Sequence, residues 1–196
     1  MSNLSIGILG GSFDPIHNAH IQLAKNASIQ CALDMLVFMP ARQAALKDNT
    51  ACTTTEHRLK MLELATSKLD INFSIDTFEI NRQGVSYSID TAKYMKKKYP
   101  DAKIIWIIGS DHISKLHKWK DIDLLCEIVE YACAKRPNYA LDDISVPKQA
   151  KISYIDFTPL EISSTNIRDY IRNQKNLERT LDIDVISYIK QNKLYQ

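Results

Sequence analysis

Short apolar runs and helix-spaced segments alternate along the whole chain, and few folds accept that order. Leu4 to Gly10, Asp34 to Pro40, Ile71 to Asp76, Lys103 to Ile108, Ile128 to Ala134 and Ile152 to Phe157 read as buried strands. Residues 18–32 carry Ile21, Ala24, Ala27 and Cys31 at helical spacing. Thr53-x-x-Glu56 reads as a capping box, with a helix behind it to about Ser67 and Leu59, Leu62 and Ala65 facing inward. A further helix runs from Ser88 to Lys98, stopped by Pro100, and two more, Ser164 to Asn173 and Leu181 to Lys190, follow the last strand. Residues 41–52 and 138–149 read as irregular. This order predicts an α/β fold: a Rossmann-like, doubly wound parallel sheet with helices on both faces, right-handed crossovers and a short helical segment at the end. No repeat or linker divides the chain, so residues 1–196 are expected to form a single domain.

A sheet of this kind binds its ligand at the carboxyl ends of the strands. Those positions are Gly10–His20, Pro40–Lys47, Gly109–Asp111, Arg136 and Thr158–Thr165, where polar residues and glycines concentrate. Charge narrows the ligand. Lys+Arg is 25 and Asp+Glu is 23, a net of 25 − 23 = +2, and hydrophobic residues make up 45%. That balance excludes disorder and argues against a broad nucleic-acid or membrane surface. The four cysteines show no CxxC spacing and read as reduced core thiols. With no leader-like or spanning segment, a cytoplasmic protein is expected.

The string Gly10-Gly11-Ser12-Phe13-Asp14-Pro15-Ile16-His17-Asn18-Ala19-His20 follows the first strand. Paired glycines there let the backbone come close to a ligand. The string is neither GxGxxG nor GxxxxGK[ST]. His17 and His20 are three residues apart at a helix start, so their side chains share one face. Imidazoles beside free helix N–H groups suit a polyphosphate and the charge that develops on its transfer. Two of a set of metal ligands, or ordinary surface histidines, are the competing readings.

Ile162-Ser163-Ser164-Thr165-Asn166-Ile167-Arg168 opens a helix after the last strand. Ser163, Ser164 and Thr165 can cap that helix and also hold phosphate, and Arg168 one turn on can add a guanidinium fork. A capped helix with a surface arginine is the plainer alternative.

These two strings resemble the G-G-[ST]-F-D-P-x-H-x-x-H and I-S-[ST]-T-x-I-R motifs of the H-x-x-H/H-x-G-H nucleotidyltransferases, with Ala19 where glycine is usual. The middle of the chain is similar to the nicotinate-nucleotide adenylyltransferases. Gln83-Gly84-Val85-Ser86-Tyr87-Ser88-Ile89-Asp90-Thr91, Ile107-Ile108-Gly109-Ser110-Asp111 with Leu116 and Trp119, Arg136-Pro137, and the ending Val185…Tyr188-Ile189…Leu194-Tyr195 carry that likeness. The resemblance implies adenylyl transfer from ATP to nicotinate mononucleotide, with Mg²⁺ carried by the nucleotide and no protein metal site. It implies ATP contacts from Gly10, Gly11, Ser12, Phe13, His17, His20, Gly109, Asp111, Ile162, Ser163, Ser164, Thr165 and Arg168. His17, His20 and Arg168 would serve catalysis. Lys47, Tyr87, Ser88, Trp119 and Arg136 would bind the acceptor.

Trp119 offers a flat face for a pyridinium ring but equally suits a core position. Asp111 suits either a ribose contact or a helix cap. The loop after the second strand departs from the family's Pro-x-His-Lys: Leu46 takes the histidine's place, Lys47 survives and Arg42 is a candidate substitute. Nicotinamide mononucleotide or pantetheine phosphate as acceptor, and a non-catalytic nucleotide-binding protein, are the alternatives. ATP and the mononucleotide are the expected partners, with homo-oligomerisation left open.

Overall fold

The computed structural model describes residues 4–43, 51–82, 84–134, 146–156, 158 and 160–196, with Asp111 described by its backbone alone. Strands β1 (Ser5–Gly11), β2 (Met35–Pro40), β3 (Phe73–Ile75), β4 (Lys103–Gly109), β5 (Val129–Ala134) and β6 (Ile152–Ile155) form one parallel sheet in the order β3-β2-β1-β4-β5-β6. Helices α1 (Asn18–Gln30), α2 (Thr55–Thr66), α3 (Phe78–Asn81), α4 (Ser88–Lys98), α5 (Ser110–Ile113), α6 (Ile122–Ile128), α7 (Ser164–Arg172) and α8 (Ile183–Gln191) connect and cover it, with a 3-10 turn at Leu116–Lys118. The strand order reverses between β1 and β4, which is where a doubly wound sheet opens its ligand crevice. The predicted fold class and all six strands are present.

Strand residues alternate between two cores because successive side chains leave opposite faces. Leu9, Leu36, Phe38, Ile105 and Ile107 pack with Ala24, Ala27, Met61, Leu62, Ile167 and Val185 of α1, α2, α7 and α8. Ile6, Ile8, Val37, Ile104, Trp106 and Ile108 pack with Ile89, Ala92, Met95 and Leu125 of α4 and α6. Gly7 earns its place by packing: a Cβ there would collide with the Leu33 side chain and meet Ile107 Cδ1 at 3.1 Å. At the open edge the Gln30 carboxamide donates to Asp156 O (2.7 Å) and accepts from Asp156 N (2.8 Å). Among the described residues no helix is long and apolar enough to cross a membrane.

Several expectations need correction. Thr54, not Thr53, caps α2: its Oγ1 accepts from His57 N (3.5 Å), so Glu56 lies one position too early for a capping box. The buried face of α2 is Arg58, Met61, Leu62 and Thr66, while Leu59 and Ala65 are only half-buried. Burial of an arginine is the reason the apolar spacing misled. The fifth strand starts at Val129 because α6 occupies Ile122–Ile128, a helix too short to read from spacing. Cys126 and Cys133 are core thiols as expected, but Cys52 is exposed. Burial pushes the Cys31 and Cys126 thiols up.

Glu79 is a buried carboxyl on α3, and it accepts from Thr91 Oγ1 (2.6 Å). Burial raises its pKa above the ordinary value of 4.5. The folded protein therefore holds this proton more tightly than the unfolded chain. Stability from this group is full below the ordinary value, falls as pH rises through the raised value, and stays reduced above it. Glu79→Gln should flatten that fall, because the amide keeps the acceptor and has no charge to bury. Thermal melts of both forms at pH 5 and pH 8 check this, with the variant's advantage expected at pH 8.

Candidate active site

The site starts where β1 ends. A Cβ on Gly11 would press on the Phe13 ring at 3.0 Å, so glycine is needed for Phe13 to fold beneath the strand end. Nothing closer than 3.9 Å meets a Cβ on Gly10, so the protein's own packing does not demand glycine there. Phe13 is buried with φ 47, a left-handed conformation that a bulky side chain enters only when its surroundings impose it. Its ring meets the edges of Phe38 (6.1 Å) and His20 (5.2 Å).

The next residues carry the histidines. His17 is the N-cap of α1 in an extended conformation, and His20 stands one turn in. Their rings stack at 3.7 Å with 24° between planes. His17 N–H donates to His20 Nδ1 (3.3 Å). A ring whose Nδ1 accepts carries its proton on Nε2 when neutral, which fixes the neutral His20 ring as the Nε2–H tautomer. The shared face expected from spacing is therefore present, at the N-terminus of a 13-residue helix.

The second motif closes on the same turn. Ser163 caps α7, accepting from Asn166 N (3.1 Å). Ser164 Oγ donates to Pro15 O (2.9 Å), and Arg168 donates to Asp14 O (2.9 Å) and Thr165 Oγ1 (3.2 Å). A guanidinium has more N–H donors than these two bonds use. Two strings 149 to 154 positions apart thus meet at one turn, where Arg168 is half-buried. Ile162 precedes the cap, its N–H donating to Leu160 O (2.8 Å).

Sequence reasoning missed the support beneath this turn. Arg58, 1% exposed, donates to Ser12 O (2.6 Å) and Ala41 O (2.7 Å), tying together the loops that follow β1 and β2. Burial lowers its pKa, while Asp14 nearby opposes that shift. Asp14, 3% exposed, accepts from Tyr195 Oη (2.7 Å) and Cys52 N (2.6 Å). The only sequence signal for Arg58 is its i, i+3, i+4 spacing to Met61 and Leu62.

The remaining candidates divide. Gly109 ends β4 and precedes α5 as its N-cap, beside β1 in the sheet, and Asp111 lies in α5. Ser110 is fully buried with its Oγ unpartnered among the described residues. Tyr87 caps α4 without a side-chain bond and Ser88 opens that helix. Trp119 packs edge-on against Trp106 (6.1 Å) and Tyr131 (6.5 Å) with Nε1 buried, so one edge of it belongs to the core. The next residue, Lys120, sets its ammonium 4.4 Å from the Tyr87 ring centroid and so joins this segment to the start of α4. Arg42, the candidate substitute in this loop, donates from Nη1 to Ile80 O (3.4 Å) and Arg82 O (3.3 Å), which ties it to the end of α3. Lys47 and Arg136 lie outside the described residues.

Residues 8–170 match the Cytidylyltransferase-like family. The chain is 36% identical over 194 residues to a protein of Opitutus terrae named a probable nicotinate-nucleotide adenylyltransferase, with 98% of each chain covered. It is 39% identical over 191 residues to a protein of the same name from Streptococcus mutans, covering 97% of this chain and 88% of that one. Among solved structures, the Plasmodium falciparum nicotinic acid mononucleotide adenylyltransferase complexed with NaAD superposes with a TM-score of 0.82 at 21% identity, covering 98% of both chains. The same enzyme complexed with APC gives 0.82 at 22% identity. At that identity the likeness speaks for the fold.

Proposed function

The chain belongs to the Cytidylyltransferase-like family and, within it, to the nicotinate-nucleotide adenylyltransferases, and from this premise we propose how its site performs adenylyl transfer. The reaction joins ATP and nicotinate mononucleotide. A 5′-phosphate oxygen of the mononucleotide bonds to the α-phosphorus, the bond from that phosphorus to the bridging oxygen breaks, and pyrophosphate leaves. The products are nicotinate adenine dinucleotide and pyrophosphate, a step of NAD biosynthesis. The observation that carries this reading is the meeting of both phosphate motifs at the Asp14–Pro15 carbonyls.

The nucleophile is already an anion, so alignment and charge neutralisation suffice and no general base is required. His20 donates from Nε2 to phosphate oxygens, and His17 holds it in a stack. Arg168 turns its remaining N–H groups to the same phosphates, joined by Ser12, the Gly10–Gly11 backbone and the first N–H groups of α1 and α7. Gly109 and Asp111 at the end of β4 take the nucleoside side. Tyr87, Ser88 and Trp119 receive the pyridine ring and its carboxylate, with Lys47 and Arg136 as further acceptor contacts.

ATP enters such a site as its Mg²⁺ complex. An ion held by phosphates and water needs no protein cage. Among the described residues no three His, Cys, Asp or Glu side chains gather.

An acceptor panel with ATP and pyrophosphate detection tests the reading. The acid mononucleotide should exceed both the amide and pantetheine phosphate by at least about ten-fold in kcat/KM, about 1.4 kcal/mol of discrimination. Preference for the amide would overturn the assignment of the acceptor, and ATP binding without pyrophosphate release would overturn the reaction.

A further inference from the structure

Asp14 is the most heavily tied residue of the turn that carries the histidines. Oδ1 accepts from Tyr195 Oη (2.7 Å), Oδ2 from Cys52 N (2.6 Å), and its main-chain oxygen from Arg168 Nη1 (2.9 Å). The carboxylate is 3% exposed, with the buried Arg58 guanidinium nearby. Of these ties, the tyrosine's comes from farthest along the chain.

Tyr195 reaches Asp14 through an unusual backbone. Lys193 and Tyr195 have φ 51 and 66, both left-handed. Leu194 between them is buried, and its N–H donates to Ile189 O (3.0 Å), which anchors the segment on α8. Phe13, directly before Asp14, is left-handed as well. Two bulky residues in a costly conformation flank one hydrogen bond, and such strain persists only where neighbouring structure over-determines it. Burial of an apolar ring alone would not require the phenol oxygen to meet a buried carboxylate.

We propose that Tyr195 is a positioning residue for adenylyl transfer, its hydroxyl holding Asp14 so that the 13–17 turn presents His17 and His20 and keeps Arg168 in register with them. This rests on the reading of those three residues as the phosphate site. The mechanism is steric and electrostatic. With Tyr195 Oη removed, Oδ1 loses its donor while Oδ2 keeps Cys52 N, so the carboxylate can rotate about its remaining bond. Arg168 donates to the main chain of the same residue, so a turn held by fewer ties at Asp14 lets that carbonyl, and the guanidinium bonded to it, shift relative to the histidines.

The test uses the full chain with Tyr195→Phe, Asp14→Asn, the double variant and His20→Ala, all assayed well below their melting temperatures. For Tyr195→Phe, kcat should fall about ten-fold, the scale of a small misplacement of catalytic groups. KM for ATP and for nicotinate mononucleotide should stay within about two-fold, because binding contacts are not removed. Amide hydrogen exchange should quicken in residues 13–18 and stay unchanged in β1 and β4. The double variant should lose less than the product of the two single losses, since the two substitutions share the Tyr195–Asp14 bond. A merely structural role would instead leave kcat within about two-fold, or raise exchange uniformly through the sheet. Either result overturns the proposal if His20→Ala has lost turnover. If His20→Ala keeps parental turnover, the phosphate-site reading falls and this inference falls with it.

Discussion

His20→Ala should lose about 10²- to 10³-fold in kcat, the usual cost of removing one preorganised donor from a site of developing charge. The loss should appear in kcat and in kcat/KM together, because the Nε2 donor matters most as negative charge grows on the departing pyrophosphate. The fold should survive. His20 is only half-buried, and its Nδ1 accepts from His17 N at 3.3 Å. Losing that acceptor at a helix start costs about 1 kcal/mol. Pyrophosphate release and a circular-dichroism melt on the same preparation separate the two effects. Turnover within a few-fold of the parent, with an intact melt, would remove His20 from the chemistry.

Arg58→Met is expected to have the largest effect on stability. The substitution keeps an unbranched apolar stem and removes the guanidinium fork. Ser12 O, on a half-buried residue, and Ala41 O, on a buried one, then lose donors at 2.6 and 2.7 Å, and Asp14 loses its nearby buried cation. Removing one partner of such an arrangement costs about 3–5 kcal/mol, because the other groups stay buried and unpaired. For a chain of this size each kcal/mol moves Tm by about 2–4 °C, so a fall of about 6–20 °C is expected. Arg58→Lys should recover little, since one ammonium does not reproduce a planar fork between two carbonyls. Calorimetry of the three forms decides it. A loss below about 1 kcal/mol would mean that water reaches these carbonyls after all.

The sheet was legible in the sequence because each strand is a nearly unbroken apolar run, as a strand covered on both faces must be. The histidine pair was legible because three residues on a helix start leave little freedom of direction. The capping of α2 was not, since Thr53, Thr54 and Thr55 are chemically equal candidates and only tertiary packing of Arg58 and Met61 selects the middle one. Arg58 shares the inward spacing of Met61 and Leu62, but its charge makes it read as solvent-facing. Helices α5 and α6 are too short for periodicity to declare them. Gly7 resembles a conformational glycine, yet its need is room for Leu33. The Asp14–Tyr195 bond spans 181 positions, and no local pattern encodes a contact of that range.

That span has a consequence for the order of synthesis. The histidines, β1 and β2 leave the ribosome well ahead of α7 and α8, and the two strands can pair before those helices exist. The bonds that frame the histidine turn come from Ser164, Arg168 and Tyr195, at separations of 149, 154 and 181 residues. Long-range closures of this kind form late, after the intervening chain has collapsed. A nascent chain therefore carries His17 and His20 without their frame until the segment after α8 has emerged, and a half-made copy lacks the organised turn on which the proposed phosphate site depends.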